Sequence, residues 1–325
     1  MHSLTYAQAI NEALKEEMRR DANLVVLGED VGKYGGVFGV TRGLYDEFGE
    51  ARVRDCPLNE AAIISFGIGL ALAGKPAVAE LEFMDFVTFC MDAITNQAPK
   101  LRFFWGGQVE VPLVIRTPIA SGLGFGTQHS QSLEGWFMHV PGLKVAMPAT
   151  AYDAKGLMKT AIRDRNPVLF ADNISLYSTK GDIPDEDYTI PFGQAEVKRE
   201  GDDVTVVALG AMVPQALTAA EELAGQGLSV EVIDPRTLAP LDIGTILESV
   251  HKTGRLLIVD EWFGPCGVGA EIAAQVVDQG FDDLDAPVRR LNSQHSPVPY
   301  SPTLEAAMTP STAAITQAIR DLAAE

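Results

Sequence analysis

At 325 residues the chain is long enough for two domains, and 46% apolar with 21% charged residues is the composition of an ordinary globular protein. Its 44 acidic and 25 basic residues give a net charge of −19, which leaves no basic face for nucleic acid or for an anionic membrane. Cys56, Cys90 and Cys266 lie far apart without CxxC or metal-ligand spacing, and the N-terminus turns charged before any apolar run develops. Reduced thiols, no signal peptide and a cytoplasmic location are therefore expected.

In chain order, Thr5 and Gln8 fit a capping box ahead of Ile10, Leu14 and Met18, which share one helix face. A buried-type strand at 24–28 then runs out into Glu29 and Asp30. Residues 59–74 begin at a potential cap, Asn59, stay apolar nearly all round and reach a natural stop at Gly74, which predicts a helix inside a domain. Strands at 76–81, 111–116, 143–147 and 167–172 alternate with helical patterns at 85–104 and 151–163, as in an α/β domain with a parallel sheet. From 175 to 203 the sequence is polar and broken, which reads as a region between domains. The rhythm restarts with strands at 204–210, 229–234 and 255–260 and helices near 213–224, 242–250, 267–278 and 311–323. The expectation is an α/β protein of two doubly wound domains, 1–185 and 204–325, joined by a linker at 186–203.

The glycines of 122–131 read GxGxG rather than GxGxxG and have no acidic residue at ribose distance, and no GxxxxGK[ST] loop occurs. Both observations speak against a nicotinamide or nucleotide site. Glu60 stands at the entrance of the apolar helix. Either it neutralises the helix N-terminus, worth ~0.3–1 kcal/mol, or it is a desolvated carboxylate holding a proton near neutrality. The two effects oppose each other, and raising its pKa by about two units takes ~2.7 kcal/mol of burial. His129 lies in a Gly/Ser-rich loop just past a strand end, where α/β proteins bind ligands; it is equally placed to bond Ser130 or Gln131. His139 and His251 read as structural and His295 sits in a proline-rich loop. No two histidines have the spacing of zinc ligands. The run EFMDFVTF (82–89) fits core packing for most of its rings, with one face free for a flat cofactor.

The stretches GED (28–30), PLNE (57–60) leading into FGIG (66–69), EFMDF (82–86), QHSQ (128–131), PGLKV (141–145), DAKGL (153–157), DEW (260–262), GVGAEI (267–272) and PVPY (297–300) follow in that order. Across essentially the whole chain this resembles the β subunit of the thiamine-diphosphate-dependent, decarboxylating first component of 2-oxo acid dehydrogenase complexes. The resemblance implies a pyrimidine-binding domain followed by a transketolase-type C-terminal domain used mainly for assembly. It also implies that Glu60 hydrogen-bonds the cofactor's pyrimidine and favours its proton-abstracting imino form, that Phe86 stacks on that ring and that Leu58 lines its pocket. Glu29 matches an acidic residue of a solvent channel between paired active sites. His129 matches a histidine that handles protons and helps transfer the acyl group to a lipoyl arm. Leu113, Ala161, Asp164 and Asn166 match positions that hold potassium in some members.

Thiamine enzymes anchor the diphosphate through magnesium with a GDG motif followed by NN, and this chain has no GDG. The resemblance therefore implies an α subunit that supplies the magnesium site, in an α2β2 heterotetramer, and a lipoyl-bearing acyltransferase docking near Glu325. A pyruvate-type 2-oxo acid is the first expectation for substrate, with branched-chain and acetoin-cleaving members as alternatives. A split transketolase-like enzyme ranks below, since the second domain offers few arginines for a sugar phosphate, Arg236, Arg255, Arg289 and Arg290 among them. An assembly subunit without catalysis is opposed by the joint presence of Glu60, Phe86 and His129.

Overall fold

The computed structural model describes residues 1–325. The chain opens with α1 (Tyr6–Arg20), where the Thr5 hydroxyl accepts the Gln8 N–H at 3.3 Å and the Gln8 side chain accepts the Thr5 N–H at 2.9 Å. These two bonds satisfy helix-end donors that have no partner within the helix. Then come β1 (Val25–Gly28), β2 (Val53–Asp55), α2 (Glu60–Leu72), β3 (Ala77–Glu80), β4 (Leu113–Ile119), β5 (Lys144–Ala146), α3 (Ala151–Arg163) and β6 (Val168–Asn173). These six strands run parallel in the order β5-β6-β4-β3-β1-β2. Every residue of β1, β3, β4 and β6 is buried, because helices cover both faces of a parallel sheet and both faces must be apolar.

The second unit contains β7 (Glu196–Arg199), β8 (Val204–Ala208), α4 (Met212–Ala224), β9 (Val230–Asp234), β10 (Thr237–Ala239), α5 (Ile243–Thr253), β11 (Leu256–Phe263), α6 (Val268–Gly280), β12 (Arg289–Ser293), α7 (Pro302–Met308) and α8 (Thr312–Ala323). Its sheet has the order β12-β11-β8-β9-β7, with β7 antiparallel to β9. Strand β10 leaves that unit and pairs antiparallel with β5 as the seventh strand of the first sheet. The cores are likewise shared: one joins Ile10, Leu14 and Phe170 to Val206 and Ile315, the other Ile63, Leu113 and Phe137 to Ile258 and Ile272.

Two stretches differ from the sequence pattern. The helix expected over 85–104 is a tight turn (Met84–Cys90), a wide turn (Asp92–Gln97) and a short helix (Leu101–Phe104), since Pro99 has no N–H to continue a ladder. Within the polar region from 175 onward, Lys180–Ile183 pairs with His2–Thr5, and β7 edges the second sheet.

The connection leaving β1 leads to β2 on one side, whereas that leaving β3 leads to β4 on the other. The C-terminal ends of β1 and β3 therefore flank a topological switch point, where the loops diverge and leave a crevice. Helix α2 lies close against the sheet because Gly67 has no side chain; a Cβ there would come within 2.8 Å of Leu113 Cδ1.

Candidate active site

The residues singled out from sequence converge on this edge from four elements. Glu29 follows β1 directly, Glu60 opens α2 behind the Asn59 cap, Phe86 lies in the turn after β3, and His129 lies in the loop after β4. The Asn59 side-chain amide oxygen accepts the Ala62 N–H at 3.0 Å and fixes where the helix starts. Glu29, Glu60, Phe86 and His129 are all half-buried, and Leu58 is 71% exposed.

Carboxylates dominate the crevice. Burial pushes Glu29 above the usual carboxylate range, and repulsion from Asp30 and Glu60 adds to it. Glu82, two residues past β3, is pushed up to about 7, first by burial and then by Glu29, Asp30, Glu80 and Glu60. The charges that act most strongly on both acids are other carboxylates, so the crevice concentrates negative charge. Glu82 is a candidate that sequence reasoning missed; its signal was an acid just beyond a fully buried parallel strand.

The opposite wall is aromatic. The His129 imidazole meets Phe83 edge-on at 4.9 Å and Phe86 at 5.3 Å between ring centroids, and Phe86 lies 6.2 Å from Phe89. Gln131 is engaged elsewhere. Buried Asp85 accepts its backbone N–H at 3.3 Å and its side-chain amide at 2.7 Å, tying the His129 loop to the turn that carries Phe86. The sequence offered Gln131 only as a partner for His129, and Asp85 was not singled out. Below the crevice, buried Arg116 pairs with Glu80 and, at 2.7 Å, with Asp172, while Tyr177 donates to Asp172 at 2.5 Å. This paired network closes the floor.

Of the residues matched to potassium sites, Leu113 and Ala161 are buried apolar positions, and Val111 N–H bonds Arg165 O at 3.0 Å, bringing the loop after α3 against the start of β4. The Asp164 carboxylate is already paired with Lys144 and bonded by Asn166, whose own carbonyl oxygen accepts from Arg102 at 3.0 Å. These side chains are thus engaged with one another, and no group of three or more His, Cys, Asp or Glu side chains in the chain could hold a metal ion.

Comparison with known proteins follows the same division. The family described as "Transketolase, pyrimidine binding domain" matches residues 2–179, and "Transketolase, C-terminal domain" matches 193–315. Three β subunits of Bacillus subtilis are similar along nearly their whole length. The acetoin:2,6-dichlorophenolindophenol oxidoreductase subunit is 46% identical over 93% of this chain and 92% of its own. The 2-oxoisovalerate dehydrogenase subunit is 45% identical over 99% of both chains, and the pyruvate dehydrogenase E1 component subunit 45% over 93% of both. Among solved structures, a split-gene transketolase described as an inactive β4 tetramer superposes with a TM-score of 0.81 at 22% identity, covering 99% of this chain and 98% of that one. No helix is long and apolar enough to cross a membrane.

Proposed function

Because the chain belongs to the family of β subunits of 2-oxo acid dehydrogenase first components, we propose that it is the pyrimidine-binding half of a thiamine-diphosphate-dependent, acyl-transferring 2-oxo acid dehydrogenase that works only with an α subunit. The observation that carries this reading is the position of Glu60: a half-buried carboxylate at the head of an apolar helix, on the same sheet edge as the aromatic wall of Phe83, Phe86 and His129. An acid among other acids and an open ring face fit a flat, basic heterocycle. Thiamine diphosphate, when bound, supplies an electron sink for cleaving the bond between the carboxylate and carbonyl carbons of a 2-oxo acid.

This chain's own residues supply binding, orientation and proton handling. Glu60, at the head of its helix, would hydrogen-bond a pyrimidine nitrogen and exchange a proton with it. Phe86 stacks on the ring, and Leu58, exposed in this chain alone, completes the pocket once a second polypeptide covers it. Glu29 borders the solvent side, and the His129 imidazole would give a proton to the sulfur released when the acyl group forms a thioester with the other sulfur of a lipoyl disulfide, the disulfide being the two-electron oxidant. The magnesium and diphosphate contacts fall to the α subunit of an α2β2 heterotetramer. Phe103 and Phe104, 89% and 82% exposed, with Trp105 beside them, form an apolar surface suited to a subunit interface.

For substrate we place a pyruvate-type acid first; the QHSPVPYSP loop (294–302) resembles pyruvate and acetoin members alike. An acetoin-cleaving role is the second reading, because the acetoin relative is as similar as the other two. Co-expression with an α chain, followed by assay with thiamine diphosphate, magnesium, a panel of 2-oxo acids and acetoin, tests the proposal. Turnover by the isolated chain, or none of these substrates consumed by the heterotetramer, contradicts it.

A further inference from the structure

The loop that carries His129 is gripped by the C-terminal unit. The Gly122 N–H donates to one carboxylate oxygen of Glu305 and the Gly124 N–H to the other, both at 2.8 Å. The Thr127 hydroxyl donates to Val298 O at 2.9 Å. Gly126 lies so close to the Tyr300 ring that a Cβ there would come within 2.3 Å of Tyr300 Cε1. Gly122, Gly124 and Gly126 have φ of +82°, +75° and +81°, an alternation that turns nearby N–H groups to one side and makes the backbone a concavity for an anion. The anion filling it belongs to the chain itself: Glu305, 2% exposed, on α7.

Two acceptors on one rigid carboxylate fix the path of the loop from Gly122 to Gly124, and the strap at Val298 and Tyr300 fixes the next turn. At the far end Asp85 holds Gln131. His129 lies between these anchors, pressed edge-on against Phe83 and Phe86. We propose that Glu305 is a positioning residue for His129, so that the C-terminal unit, beyond its part in assembly, sets the imidazole over the switch point. The proposal rests on the acyl-transfer role given to His129 above.

Glu305→Gln keeps the side chain's length but turns an amide donor toward one of the two glycine N–H groups, which opens the clamp on one side. Hydrogen exchange of the full chain reads the clamp without any partner. Amides of 122–126 are expected to exchange about tenfold faster in Glu305→Gln, with peptides of β8 and α8 unchanged. Loop exchange equal to that of the parent overturns the clamp.

In the heterotetramer, acyl transfer to a lipoyl domain is then measured for His129→Ala, Glu305→Gln and the double variant. Glu305→Gln is expected to lose about ten- to a hundredfold in rate, and the double variant to be no slower than His129→Ala. Losses that multiply overturn positioning through His129. If His129→Ala is unimpaired while the Glu305→Gln loop exchanges fast, the role of His129 falls and the clamp stands. Thr127→Val removes one bond of the strap and serves if Glu305→Gln does not assemble. It is expected to show a smaller loss in the same step, and no loss counts against the strap.

Discussion

Three carboxyl groups are buried side by side where the two units meet: Glu134, Asp260 and Glu261 are each no more than 2% exposed. Their partners are neutral. The Ser132 hydroxyl donates to Glu134 at 2.7 Å, the Trp262 N–H to Asp260 at 3.0 Å and the Asn173 amide to Glu261 at 2.7 Å. Burial, followed by repulsion from Glu134 and Asp260, pushes Glu261 up to about 8; burial and then Glu134 push Asp260 to about 7. Between the ordinary glutamate value of 4.5 and about 8, the folded chain keeps a proton that the unfolded chain releases. Stability is therefore fully present below 4.5 and is lost as pH rises through that window. For Glu261 alone the interval corresponds to at most about 5 kcal/mol, of which roughly 3 kcal/mol disappears between pH 5 and pH 8.

Glu261→Gln still accepts from Asn173 but cannot ionise. Denaturant unfolding of the parent and the variant at pH 5 and pH 8 reads the difference. Similar stability is expected at pH 5, with the variant more stable by roughly 3 kcal/mol at pH 8. Asp260 still titrates in the variant, so the pH slope shrinks rather than vanishes. A variant that loses stability as steeply as the parent between these pH values would refute the reasoning.

In the chain alone, 13C spectra of labelled glutamate carboxyls should contain a group titrating near pH 7 that is absent in Glu82→Gln; a parent without such a group would remove the acid crevice. Gly67→Ala drives a methyl toward Leu113 and should lower stability by about 1–3 kcal/mol in thermal unfolding. An unchanged melting temperature there would mean that α2 can lift off the sheet without cost.

The elements that could be read from the sequence are those whose signals are local. The Thr5/Gln8 box, the Asn59 cap and the apolar runs of β1, β3 and β8 each carry their information within a few residues, and they form where expected. Strand β10 left no such trace, because its reason to exist is an edge offered by β5, far upstream in the chain. Strand β12 was likewise hidden, since Arg289 and Arg290 give it no apolar run. At the site, Glu60, Phe86 and His129 were found through the ordered motifs around them. Glu82 escaped because its neighbours arrive from β1 and α2, and Glu305 because a carboxylate that binds main-chain N–H groups leaves no matching side chain in the sequence.

The most direct measurement is decarboxylation by the α-assembled protein carrying Glu60→Gln, with subunit assembly checked on the same sample. An intact heterotetramer with turnover reduced by about a hundredfold or more is expected, since the glutamine cannot exchange a proton with the pyrimidine. Turnover equal to that of the parent would make the chain a scaffold and end the proposed role of Glu60.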